Sequence, residues 1–440
     1  MKPASKRVRA ASLVAVLMAF GSAAWAQGAA PAAAAQANPG YTTAEYNGYN
    51  AAKNTANPQD KIKALDAFIA QYNNPTLMPF VYRDLYQTYY GLRNFPKTIE
   101  YIDKFLALGD KLSAVDRLAA LINRGQAYVA GSTDAALQGP EMLTRTRETS
   151  AQGLTAVAAL PKPANATEEQ FNTQKKNIEF MFHSVAGIAA SQQKEWKAAQ
   201  DAFKGALVLN PQDGTTHYRL GVAHLMDTAP QANDGFWELG RSIALNIQGA
   251  DQVRAYLRGR LMQYQQPACE KLADDQITQV ITLATASPER PADFNIPSAQ
   301  DLQAARDDTS NFLPWLQEGG AHGQTMWLAT CGLEYPDVTV RVMEVVPGEA
   351  GNLTLKVFRA PTQEAMEAAT EANMEVRIVG QPEASRLSKN DYIRFTGTVT
   401  GYQPTPFLLS WDESRVNPED LPEAAAAPGR RGAAAARPGA

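Results

Sequence analysis

At 440 residues the chain exceeds the length at which a single hydrophobic core keeps growing, so two domains with tails are expected. Its formal charge is −4, falling to −8 once the four cations of residues 1–26 are removed. A balance this acidic excludes generic binding to nucleic acid or to an anionic membrane surface.

At the N-terminus, Lys2, Lys6, Arg7 and Arg9 precede the apolar run ASLVAVLMAF, and small Ala24 and Ala26 flank Trp25 ahead of Gln27. This is the pattern of a secretory signal, with a cut expected after Ala26. A membrane anchor needs about 20 apolar residues, roughly twice this run. No cysteine lies near the cut to carry a lipid, no Arg-Arg pair marks a folded export route, and no later run is long or apolar enough to span a bilayer. The expected location is periplasmic or secreted. Residues 27–40, QGAAPAAAAQANPG, hold almost nothing to bury and are expected to form a disordered spacer.

From residue 41 the apolar period becomes helical. IKALDAFIAQY is followed by VYRDLYQTYYGLRNFPKTIEYIDKFLAL, and RLAALINRGQAYVAG opens a further pair whose second helix is stretched by an insertion ending at LPKPANATEEQ. The clearest unit starts at Phe180. Its first helix carries small Ala186, Gly187 and Ala190, where a second helix must approach closely. The second helix places Trp196, Ala199, Phe203, Ala206 and Leu209 on one face and stops at Asn210-Pro211. Thirty-four residues separate the start at Phe180 from the next at Gly214, and the same interval separates starts near Glu45 and Pro79.

This spacing, with Ala186, Gly187, Ala190, Ala199, Phe203, Ala206 and Pro211 at the small, aromatic and proline positions, resembles the tetratricopeptide repeat. Leu85, Tyr89, Phe95, Ile99 and Phe105 fall on family positions in an earlier unit, and Gly125 and Tyr128 in another. The resemblance implies about five helix hairpins over residues 41–248, two of them imperfect, each burying an apolar face against its neighbours. It also implies a concave groove lined by the first helices. The groove positions hold Arg83, Gln87 and Tyr90 in one repeat, Met181, Ser184, Ile188 and Ser191 in a second, and Tyr218, Val222, Leu225 and Met226 in a third. The N-terminal half of that groove is polar and aromatic, and the C-terminal half apolar. It would receive a protein or peptide partner, or else the chain's own helices at 249–287.

Residues 249–318 read as a helical cap, ADQVRAYLRGRLMQYQ and DDQITQVITLATA, followed by a proline-broken linker with one short helix. The period then drops to two. VTVRVMEVV, NLTLKVFRA, MEVRIVG, YIRFTGTVTGY and FLLSWDESRV are strands, interrupted by the helix PTQEAMEAATEA. Over residues 319–422 this predicts a small β-domain resembling OB-type barrels, with a β-sandwich as the alternative. The overall class is α+β and multidomain. Residues 423–440, locally basic through Arg430, Arg431 and Arg437, are expected to be a disordered tail.

The four histidines are His183, His217, His224 and His322. His217 and His224 share a helical face, but seven residues span about 10 Å, too far to chelate one ion together. His183 and His217 also fall at the same position of successive repeats, so packing is the better reading and no metal is expected. Cys269 and Cys331 are a candidate disulfide in an oxidising compartment, with two unpaired buried thiols as the alternative. Adjacent carboxylates such as Asp274-Asp275 and Asp307-Asp308 point apart on a helix. Phosphate loops, nucleophile elbows and nucleotide fingerprints are missing from the sequence, so no catalysis and no cofactor are expected. The leading expectation is an exported interaction scaffold or assembly factor of the bacterial cell envelope. The alternative is a module in which the β-domain takes a small ligand or glycan while the repeats mediate assembly.

Overall fold

The computed structural model describes residues 40–72, 76–348 and 352–422. The expected signal segment, nearly all of the spacer and the tail 423–440 lie outside the described residues. Among the described residues, no helix is long and apolar enough to cross a membrane. Two compact units result: one comprises the residues up to Leu257 together with Gln279–Phe294, the other Arg258–Thr278 together with the residues from Asn295.

The first unit is helical. Its helices follow as α1 (Thr43–Lys53), α2 (Pro58–Tyr72), α3 (Met78–Gly91), α4 (Phe95–Leu106), α5 (Ala114–Ala130), α6 (Pro140–Ala158), α7 (Glu168–Gln192), α8 (Trp196–Leu209), α9 (Gly214–Met226) and α10 (Ala232–Ala244). Side chains set several of the starts. Thr42 and Glu45 close a capping box before α1, as Thr167 and Gln170 do before α7. Asn94, Ser113 and Asp213 cap α4, α5 and α9. The stop at Asn210 follows from Pro211, which disfavours helical geometry in the residue before it.

Each helix packs on the next in sequence, and first helices also meet across pairs, α1 with α3 and α5 with α7. The core is accordingly a succession of clusters. The first runs from Tyr49 to Ala120, the next from Ile99 to Ala189, and a smaller one joins Ala190, Ala199, Phe203, Leu220 and Ala223. Close approach depends on small residues: a Cβ on Gly187 would stand 2.4 Å from the Phe203 ring, and one on Gly221 3.0 Å from the backbone of Gly235. Two longer helices follow, α11 (Ala250–Gln265) and α12 (Lys271–Ala286).

In the second unit, α13 (Ala299–Asp307), α14 (Phe312–Glu318) and α15 (Gly320–Thr330) precede β1 (Glu334–Pro347), β2 (Leu353–Phe358), α16 (Gln363–Ala368), β3 (Met374–Ile378), β4 (Tyr392–Pro404) and β5 (Phe407–Val416). The strands close into a barrel in the order β1-β2-β3-β5-β4, with β4 returning to β1. All pairings are antiparallel except β3 with β5. Closure replaces the sandwich alternative and, among the described residues, leaves no free sheet edge. Alternate residues fill the interior, among them Val340, Leu355, Val376, Phe395 and Trp411.

One finding departs from the sequence expectation. The segment 312–330 is helical, and its Leu313, Leu316, Met326, Leu328 and Ala329 share one core with the strands. That core begins at Leu302, upstream of residue 319. Gly319 and Gly320, both at positive φ, make the corner between α14 and α15. Cys269 and Cys331 are joined by a disulfide bond within this unit, fastening the segment between α11 and α12 to the end of α15.

Candidate partner-binding face

The residues assigned to a groove all sit on first helices, α3, α7 and α9, as the repeat interval requires. Burial separates them into three groups. Gln87 is exposed, and Met226 is 43 % exposed at the end of α9. Arg83, Tyr90, Ile188, Tyr218 and Val222 are half-buried. Met181, Ser184 and Leu225 are buried, and so do not line an open surface.

The cause of that withdrawal is local packing. Met181 lies over Gly125 of α5, whose missing side chain admits the methionine sulfur into the shared core. Leu225 presses against Gly235 of α10 in the same way. Ser184 is enclosed without a hydrogen-bond partner for its hydroxyl.

At the N-terminal end the face is charged and aromatic. The Arg83 guanidinium stands over the Phe80 ring at 5.2 Å and reaches Asp116 of α5 at 3.8 Å. Beneath it, Tyr49 Oη donates to Asp84 Oδ2 at 2.7 Å, tying α1 to α3. Burial pushes the Tyr86 hydroxyl up to about 12, with Arg83 acting in the opposite direction. Tyr90 meets Phe95 edge-on at 5.7 Å, and burial raises its hydroxyl above the usual range. Arg83 is therefore held as a positioned cation beside an exposed amide, Gln87, able to meet a carboxylate or a peptide carbonyl.

At the C-terminal end Tyr218 is engaged by the chain itself. Tyr256 of α11 meets its ring edge-on at 6.3 Å, and Val253 and Leu257 of the same helix are buried. Burial raises the Tyr218 hydroxyl. Sequence reasoning passed over Tyr256 and Asp116. The apolar face of ADQVRAYL, with Val253, Tyr256 and Leu257 three and one residues apart, was the available signal for the first. No local signal marks the second.

The histidines occupy packing positions in the helical unit. His183 lies against Gly205, where a Cβ would come within 2.7 Å of the ring, and burial depresses its pKa. His224 is 1 % exposed, and burial, then Lys204, push it below the ordinary histidine range. His217 bridges Glu238 and the Pro211 carbonyl. In the other unit His322 is exposed, stacked on Trp315 and 3.7 Å from Glu318. Among the described residues, no group of three or more His, Cys, Asp or Glu side chains is placed to hold a metal ion. Compared with protein-family models, with curated proteins and with solved structures, the chain matches none.

Proposed function

We propose that the helical pairs are tetratricopeptide repeats, and that the protein is an exported, non-catalytic interaction scaffold or assembly factor of the bacterial cell envelope. The observation that carries this reading is the run of five consecutive helix pairs, α1–α2 to α9–α10, whose first helices bear Arg83, Gln87, Tyr90 and Met226 at the repeat's groove positions. An array of this kind offers a partner one long surface built from equivalent positions. The partner is a protein or peptide segment, held by polar contacts at the α3 end. The apolar contribution is confined to the neighbourhood of Met226, because Tyr218 already meets Tyr256.

Capture from envelope extracts by the full chain, compared with the Gln87→Ala/Met226→Ala variant, tests the reading. Loss of specific partners in the variant supports it, and identical partner sets end the groove assignment. Cleavage after Ala26 is checked by N-terminal sequencing of the exported protein.

A second reading draws on the barrel. Its strand order and the return of β4 to β1 suit an OB-type fold, and half-buried Trp327, Tyr402 and Phe407 gather where β4 turns into β5. Such rings suit a small ligand or glycan. Ligand-induced shifts confined to residues 320–420 would favour this reading over the scaffold.

A further inference from the structure

The joint between α8 and α9 carries a chemical requirement that the repeat pattern does not impose. His217 is 7 % exposed. Its Nδ1 lies 2.5 Å from Glu238 Oε2 on α10, and its Nε2 lies 3.1 Å from the carbonyl oxygen of Pro211 in the turn before α9. A carbonyl oxygen only accepts, and so does an ionised carboxylate, whereas a neutral imidazole has one N–H and one lone pair. With Glu238 ionised, both contacts are hydrogen bonds only when both ring nitrogens carry protons. We propose that His217 is held as an imidazolium that clasps the 210–213 turn, α9 and α10 together.

The surroundings assign the counter-charge to Glu238. On α10, Asp234 is taken up by Arg290 at 3.2 Å. In the turn, Asp213 Oδ2 accepts from the Thr216 backbone N–H at 2.8 Å and from its hydroxyl at 2.6 Å. Arg219 of α9 has Asp213 as its nearby carboxylate. Glu238 also faces His224, but burial and Lys204 of α8 hold that ring toward its neutral form. From α11 the neighbouring group is the Tyr256 ring, against Tyr218. One cationic ring and one carboxylate therefore remain to be paired, with the Pro211 carbonyl taking the second proton. The clasp does not depend on what binds the first helices.

With four histidines in the chain, selective ¹⁵N labelling of histidine in the full-length protein resolves each ring by nuclear magnetic resonance. Both His217 nitrogens are expected to be protonated near neutral pH, and a single protonated nitrogen would overturn the proposal. In the Glu238→Gln variant the ring is expected to revert to a neutral tautomer; an unchanged imidazolium signal removes Glu238 as the counter-charge and also overturns it. In the His217→Gln variant amide protection factors in α9 and α10 should fall about tenfold or more, the scale of a lost charge-assisted hydrogen bond. Equal protection in variant and parent sinks the clasp.

Discussion

The helical unit and the barrel unit both bury Phe, Leu and Val side chains, but they assemble those side chains in opposite ways. In the helical unit the clusters between Tyr49 and Ala223 are each made by helices close in sequence, and they succeed one another along the chain. In the barrel unit a single cluster takes residues from Leu302 to Val416, and the sheet closes only when β1 meets β4, with Val338 paired to Phe395. A linear array can lose one neighbour interface and keep the rest. A closed barrel cannot open one seam without exposing its interior.

The sharpest way to break this comparison is to cut an equivalent hole in each unit. Phe203 and Phe395 are both essentially buried, at 1 % and 0 % exposure. Replacing either by alanine should cost about 3–5 kcal/mol. For Phe395→Ala, hydrogen exchange should rise across all five strands together. For Phe203→Ala it should rise in α7, α8 and α9 while α1–α4 keep their protection. Equal spread in both variants would mean that the helical array is as cooperative as the barrel.

Next in size is the disulfide, which belongs to the barrel unit alone. Cys269 and Cys331 close a loop of 62 residues, and removing that constraint by Cys269→Ser/Cys331→Ser should cost about 4 kcal/mol on loop-closure grounds. Calorimetry on the full chain should show the barrel transition moving down while the helical transition stays in place. A shift of both transitions by similar amounts would contradict the division into two units.

The same contrast decides what the sequence reveals. The hairpin at 180–211 is legible because its determinants are local: Gly187 and Phe203 meet across one turn, and Pro211 ends the helix it follows. The five strands are legible one at a time from alternation. Their closure is not, because pairs such as Val338 with Phe395 leave no mark on neighbouring residues. Segment 320–330 escapes for a related reason. Its Met326, Leu328 and Ala329 are buried and Trp327 half-buried because the barrel lies against them, so no single apolar stripe emerges. On the candidate face, the repeat interval places Met181 on the correct helix, but only Gly125 on a different helix draws it inward.

The smallest expected effect is a pH dependence that should appear in one unit and not the other. His183 and His224 are both in the helical unit, and burial lowers the pKa of each. A base whose folded pKa lies below its unfolded value binds fewer protons folded than unfolded around that range, so folding is favoured above about pH 6.5 and loses stability as the pH falls below it. The barrel unit carries only His322, which is exposed. In a His217→Gln background, which removes the opposing contribution of the clasp, lowering the pH from about 7 to 5, above the range in which most carboxylates titrate, should therefore move the helical transition down and leave the barrel transition nearly unchanged. His224→Gln should remove part of that slope, since the Nδ1 atom left without a partner goes with the ring. An acid shift of equal size in both units, or a slope unchanged in the His224→Gln variant, would show that buried histidine does not set the acid response of the helical array.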